Sequence, residues 1–155
     1  MKKSTILFLI VVYIAAFFVV GLIGISLRSH YEINYVTEIL VEKMDNQPNL
    51  ELAKSEREEI VSKDDPDHAR YNNSYVYDVD YVKDLVLKFK VTVKPDNSTY
   101  STFTIDNLPK ETIAKVEKNE DSTIYVHVYK ALTFSFQITS TDGNNLISKV
   151  QINAW

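Results

Sequence analysis

Three histidines, a group of aspartates and a crowd of tyrosines are the side chains here that could do chemistry. His30 stands at the end of a long apolar run, His68 in an acidic stretch, and His127 between Val126 and Val128. A zinc site draws its ligands from close spacings such as i, i+4 on a helix or i, i+2 on a strand, and these three are dispersed. The chain has no Cys, which excludes a thiolate metal site, a cysteine nucleophile, a disulfide framework and a lipidated N-terminal Cys. His127 alternates with two valines and is expected on the exposed side or the rim of a strand. Ser-His-Asp catalysis needs a serine on a sharp, strained turn, and no segment marks one. No catalytic residue, no metal, no cofactor and no small-molecule substrate are therefore expected, and the chain reads as a non-enzyme. Asp64, Asp65 and Asp67, with Asp78 and Asp80, are the best cation candidate, since loop oxygens suit Ca²⁺. Their spacing fits no EF-hand, so a solvated acidic loop and strand edge is the preferred reading.

Tyrosine usage points to binding instead. The chain has 10 Tyr, and Tyr71, Tyr75, Tyr77 and Tyr81 fall in one short segment. Tyrosine combines broad apolar area with a hydroxyl tip, which suits contact with a protein or a glycan. It also suits an ordinary half-buried strand. With Asp65 and Asp67 of the neighbouring acidic loop, these four tyrosines are the expected partner-contact region. Tyr31 and Tyr35 follow the apolar run as an interfacial aromatic belt would. The sequons at Asn72 and Asn97 matter only in a glycosylating secretory pathway.

The elements that must position these residues divide the chain. Its 155 residues are room for about one ordinary domain. Residues 4–27 carry no charge and no acidic residue precedes them. Lys2 and Lys3 are two of the 17 basic residues; the other 15 stand against all 21 acidic residues, a net of −6 over 28–155. That excludes a strongly basic nucleic-acid binder. Only Gly143 lies outside the apolar run, which excludes Gly-rich phosphate loops. The run from Ser4 to Leu27 would reach about 36 Å as a helix, enough for the ~30 Å hydrocarbon core of a bilayer. A cleaved signal peptide usually has a shorter apolar region and a small-x-small site, so an uncleaved anchor is expected. The Lys/Arg bias puts residues 1–3 in the cytoplasm and 28–155 outside the cell membrane, in a single pass. An accessory single-pass subunit of a larger membrane complex is the alternative role.

Beyond the anchor, Ile33, Tyr35, Ile39 and Val41 share one parity and read as a first strand. Residues 44–74 read as an irregular insertion, in which Leu50, Ala53, Arg57, Ile60 and Val61 would line one face of a short helix over 49–61. From Tyr75 the period becomes 2, with strands expected over 75–82, 85–94, 100–106, 113–117, 122–129, 133–140 and 146–154. Asp142-Gly143-Asn144 is the strongest hairpin signal. The expected core is Leu87, Phe89, Val91, Phe103, Ile105, Val116, Val126, Val128, Phe134, Phe136, Ile138, Val150 and Ile152. Seven or eight short strands at this spacing predict an all-β antiparallel sandwich after one transmembrane helix, although a small barrel would give a similar pattern.

Val86 to Ile152 resembles the group 2 bacterial immunoglobulin-like domains. The likeness is carried by Phe89-Lys-Val-Thr-Val-Lys-Pro-Asp-Asn-Ser98, Thr102-Phe-Thr-Ile-Asp106, Ile113-Ala-Lys-Val-Glu117, Val126-His-Val-Tyr-Lys-Ala131 and Phe134-Ser-Phe-Gln-Ile-Thr-Ser-Thr-Asp-Gly143. Phe103 stands near the family's usual Trp, and Leu132 stands where the family has a Gly. The layout is similar to that of small membrane-anchored surface proteins of Gram-positive bacteria. The resemblance implies an Ig-like sandwich and a non-catalytic cell-surface role in adhesion, spacing or partner binding.

Overall fold

The computed structural model describes residues 3–30, 33–47, 49–61 and 69–155, in two compact units. The first contains α1, Lys3–His30. Its Lys3–Ile23 portion is long and apolar enough to cross a membrane, a property that an N-terminal signal sequence shares. At ~1.5 Å per residue those 21 residues reach about 32 Å. Large apolar side chains from Ile6 to Ile23 are exposed all round the helix. A helix with no polar stripe has no face to turn to water.

The second unit holds nine strands among the described residues: β1 Glu38–Lys43, β2 Leu50–Ile60, β3 Arg70–Val79, β4 Leu85–Lys94, β5 Phe103–Asp106, β6 Ala114–Lys118, β7 Thr123–Val128, β8 Thr133–Ser140 and β9 Ile147–Ala154. They form a four-stranded sheet, β1-β4-β7-β6, and a five-stranded sheet, β2-β3-β9-β8-β5. All neighbours are antiparallel except β3 and β9, which run parallel with Tyr75 beside Val150. Alternating side chains from both sheets meet in one buried cluster containing Val41, Tyr77, Leu87, Phe89, Ile124, Val126, Phe136, Ile138 and Ile152. Period-2 alternation creates this core directly, because it places every second residue on one side of each strand.

β1 is an edge strand of its sheet, yet its Ile39 and Val41 are buried, so their outward carbonyls need donors. Side chains of the other sheet supply them. Asn73 Nδ2 donates to the Ile39 carbonyl at 2.9 Å, Ser148 Oγ donates to the same oxygen, and the Tyr77 hydroxyl donates to the Val41 carbonyl at 2.9 Å. Just before β1, Thr37 joins both sheets: its N–H donates to the Lys94 carbonyl and its carbonyl accepts from the Tyr71 N–H, each at 2.8 Å. Past the end of β1, the Gln47 amide takes over the pairing. It donates to the Lys88 carbonyl and accepts from the Lys88 N–H, both at 2.7 Å, as a peptide group would.

The strands expected from Leu85 onward are present, and Gly143 sits at φ +90° in the β8–β9 connection. Of the expected core, Ile105 and Val116 are only partly buried and pack against the cluster; the others are buried. Four expectations need correction. Residues 49–61 are strand β2 and not a helix. The stretch 44–74 is not irregular throughout, since it contains β2 and the start of β3. The first strand begins at Glu38, and Ile33 and Tyr35 are exposed. The strand expected from Tyr100 begins at Phe103.

Candidate interaction surfaces

Tyr71, Tyr75 and Tyr77 fall in β3, the second strand of the five-stranded sheet, and Tyr81 lies just past its end. Tyr75, Tyr77 and Val79 share the inward parity and are buried. The Tyr75 and Tyr77 rings stack with centroids 6.4 Å apart, and Tyr77 tilts against Phe89 at 5.0 Å. Tyr75 and Tyr77 are thus core residues and offer no surface to a partner, which corrects their place in the expected contact region. Tyr71 and Tyr81 are half-buried. The Tyr81 hydroxyl donates to the Tyr129 carbonyl at 3.0 Å. Asp65 and Asp67 lie outside the described residues, as do Asp64 and His68.

Burial pushes the phenol pKa of both core tyrosines above its ordinary value; for Tyr75, Glu38 and Glu42 add to the rise while a hydrogen bond from the Val41 backbone opposes it. The folded state therefore holds these protons when the unfolded chain releases them, near pH ~10. Stability is unaffected below that pH and falls as pH rises through it. In an alkaline titration, tyrosinate absorbance of Tyr75 and Tyr77 is expected to appear together with loss of strand structure. Tyr77→Phe is expected to lose about 1 to 2 kcal/mol at neutral pH, from the buried Val41 carbonyl left without its donor. A fully folded protein in which both phenols ionise near their ordinary value contradicts this.

Tyr71 belongs to a cluster that no local spacing announces. Arg57 of β2 lies 3.5 Å over the Tyr71 ring centroid. The same guanidinium holds Glu38 of β1 in a two-point ion pair, Nε to Oε1 at 3.0 Å and Nη2 to Oε2 at 3.0 Å. Asn73 Nδ2 donates to Glu38 Oε1 at 3.1 Å. Three successive strands, from both sheets, are tied here by one carboxylate.

The outer face of the five-stranded sheet is rich in amides and hydroxyls. A shallow groove of about 630 Å³ runs over it, lined in part by Glu56, Glu58, Asn72, Ser74, Gln137 and Lys149. Beside it, Asn153 Nδ2 donates to Asp78 at 2.8 Å and Asn153 Oδ1 accepts from Gln151 Nε2 at 3.0 Å. A second recess, about 260 Å³, brings Trp155 together with Asn49, Glu51, Asp78 and Asp80. Trp155 is 64% exposed. Amides and carboxylates that pair with hydroxyls or peptide groups, next to an exposed aromatic plate, are the chemistry of a polar contact surface. Nothing local in the sequence joins Trp155 to Glu51; register within the sheet does.

The other sheet's outer face is charged. Glu117 pairs with Lys115 at 2.5 Å and approaches His127 Nε2 at 3.4 Å. Lys115 holds the Glu117 carboxyl below its ordinary range, with His127 adding to the effect. His127 points away from Val126 and Val128, as its alternation predicts. Among the described residues, no three His, Cys, Asp or Glu side chains are grouped so as to hold a metal ion. No protein-family model matches the chain, and neither a curated protein nor a solved structure shows significant similarity to it.

Proposed function

We propose that this protein is a membrane-anchored, extracytoplasmic, non-catalytic Ig-like module that binds a protein or glycan at the cell surface. The observation that carries the reading is strand order, combined with the apolar helix before it. In an Ig sandwich one sheet runs A-B-E-D and the other contains C, F and G. Taking β1 as A and β4 to β9 as B to G reproduces the first order in β1-β4-β7-β6 and gives G-F-C in β9-β8-β5. β2 and β3 then extend the second sheet on the far side of G. This order supports the resemblance drawn from residues 86–152, which excludes β1 to β3.

The helix supplies the anchor, with Lys2 and Lys3 held on the cytoplasmic side by the positive-inside bias. The groove on the outer face of the five-stranded sheet is the contact region. Protease shaving of intact cells expressing the chain with an N-terminal tag tests the topology. The expected result is loss of residues 28–155 with a protected tagged stub, and a mature mass that retains residues 4–27. A protected C-terminal unit overturns the reading, and a mature chain beginning near Leu27 makes the module secreted. Membrane partners that stay bound in stoichiometric amount after the exported unit is cut away favour the accessory-subunit role instead.

A further inference from the structure

β2 is the longest strand of the β unit, with 11 residues, and the least covered. Residues 51 to 59 are exposed although the strand pairs with β3 along its length. β2 also stands first in the order of its sheet, so among the described residues no strand lies at its far edge. The backbone shows which groups that edge presents. The Tyr71 N–H donates to Thr37, and the Val79 carbonyl accepts from Trp155, so odd-numbered peptide groups of β3 face away from β2. Successive residues alternate, so Asn72 faces β2 and its register partner Glu58. By the same alternation Lys54, Glu56 and Glu58 bond to β3. Ser55, Arg57 and Glu59 hold their N–H and C=O groups at the open edge.

Charge decides what can fill it. An unprotected edge accepts strands at random; here Lys54, Glu56, Arg57, Glu58 and Glu59, with a bulge between Leu52 and Lys54, prevent that. Against a second β2 in antiparallel pairing, residues of equal parity must oppose so that the faces match. Centring the pair on Glu56 sets two carboxylates against each other on the axis. Centring it on Arg57 sets two guanidiniums together and Glu56 against Glu58. Centring it on Ser55 puts Lys54 opposite the partner's Glu56 twice and leaves a small residue on the axis.

We propose that a second copy of this chain pairs along this edge, antiparallel about a two-fold axis through Ser55, so that the five-stranded sheets of two protomers become continuous. Opposite-charge cross-strand pairs stabilise such a ladder and like charges directly opposite destabilise it.

The absence of cysteine makes the test clean. Ser55→Cys in the full chain, in membranes under mild oxidation, brings two thiols together across the axis. Hydrogen-bonded antiparallel partners have Cα atoms about 5.5 Å apart, within disulfide reach. A disulfide dimer is expected, and Asp106→Cys, on the strand at the other end of the sheet, gives none. Adding Lys54→Glu to Ser55→Cys should cut cross-linking about tenfold by opposing two glutamates, and adding Glu56→Lys to that pair should restore it. Without any cysteine, sedimentation of the detergent-solubilised wild type should show a dimer. Ser55→Pro should yield a folded monomer, because an edge strand tolerates Pro where its N–H faces solvent. A wild type that stays monomeric, equal cross-linking at Asp106→Cys, or failure of the charge swap to restore the dimer overturns the proposal.

Discussion

Asp142→Ala is expected to cost the β unit about 3 kcal/mol, through buried donors left without an acceptor. Asp142 is only 9% exposed. Oδ2 accepts from the Val36 N–H at 2.7 Å and from Asn144 Nδ2 at 3.1 Å. Oδ1 accepts from Ser140 Oγ at 2.8 Å and from the Asn144 N–H at 3.1 Å. The Val36 N–H is the costly one, since that residue has no exposure to water. Each of the four partners is a donor, so Asp142→Asn is not conservative: its NH₂ group would face donors whichever way the amide turned. A melting temperature lower by about 10 °C for the alanine variant, and a clear loss for the asparagine variant, are expected by circular dichroism. An asparagine variant as stable as the wild type contradicts the acceptor role. Because Val36 immediately precedes the Thr37 bridge, this carboxylate fixes the start of the β unit to its last hairpin.

Phe89→Ala should cost more, about 4 kcal/mol. Phe89 has 0% exposure and lies in β4, between β1 and β7. Its ring packs against Tyr77 of the opposite sheet at 5.0 Å. Alanine removes apolar area and leaves a cavity between two sheets whose backbones are held by their own ladders, so the site cannot collapse to fill it. Against a total stability of about 5 to 15 kcal/mol for an ordinary domain, that is a large share. In urea the midpoint should fall by about 2 M with little change in slope. Leu108→Ala, at a 57% exposed position, is the control and should stay within about 0.5 kcal/mol of the wild type. Equal shifts for the two variants would falsify the assignment of Phe89 to the core.

How far each element was legible depends on what it buries. From Leu85 to Ala154 the strands alternate because one side of each meets the opposite sheet, and that alternation is written in Leu87, Phe89, Val91, Phe134, Phe136 and Ile138. β2 escaped because an edge strand exposed from Glu51 to Glu59 buries almost nothing and leaves no period-2 signal. Its charges and scattered apolar residues fit a helical face equally well; pairing with β3 settles the matter. Tyr75 and Tyr77 share parity with Val79, so their burial could have been argued from alternation. Tyrosine composition alone suits a surface and a core alike.

By itself the sequence determined what needs only neighbours along the chain. An uncharged stretch of membrane length makes a helix, alternating β-branched and aromatic residues make strands, and Gly143 makes a turn. Tertiary structure alone decided which distant groups meet: Asp142 with Val36, Arg57 with Glu38 and Tyr71, Trp155 with Glu51 and Asp80. The reason is physical. A residue's periodicity is set by local backbone geometry, whereas its hydrogen-bond and charge partners follow from sheet order and register, which depend on the burial of the whole core at once.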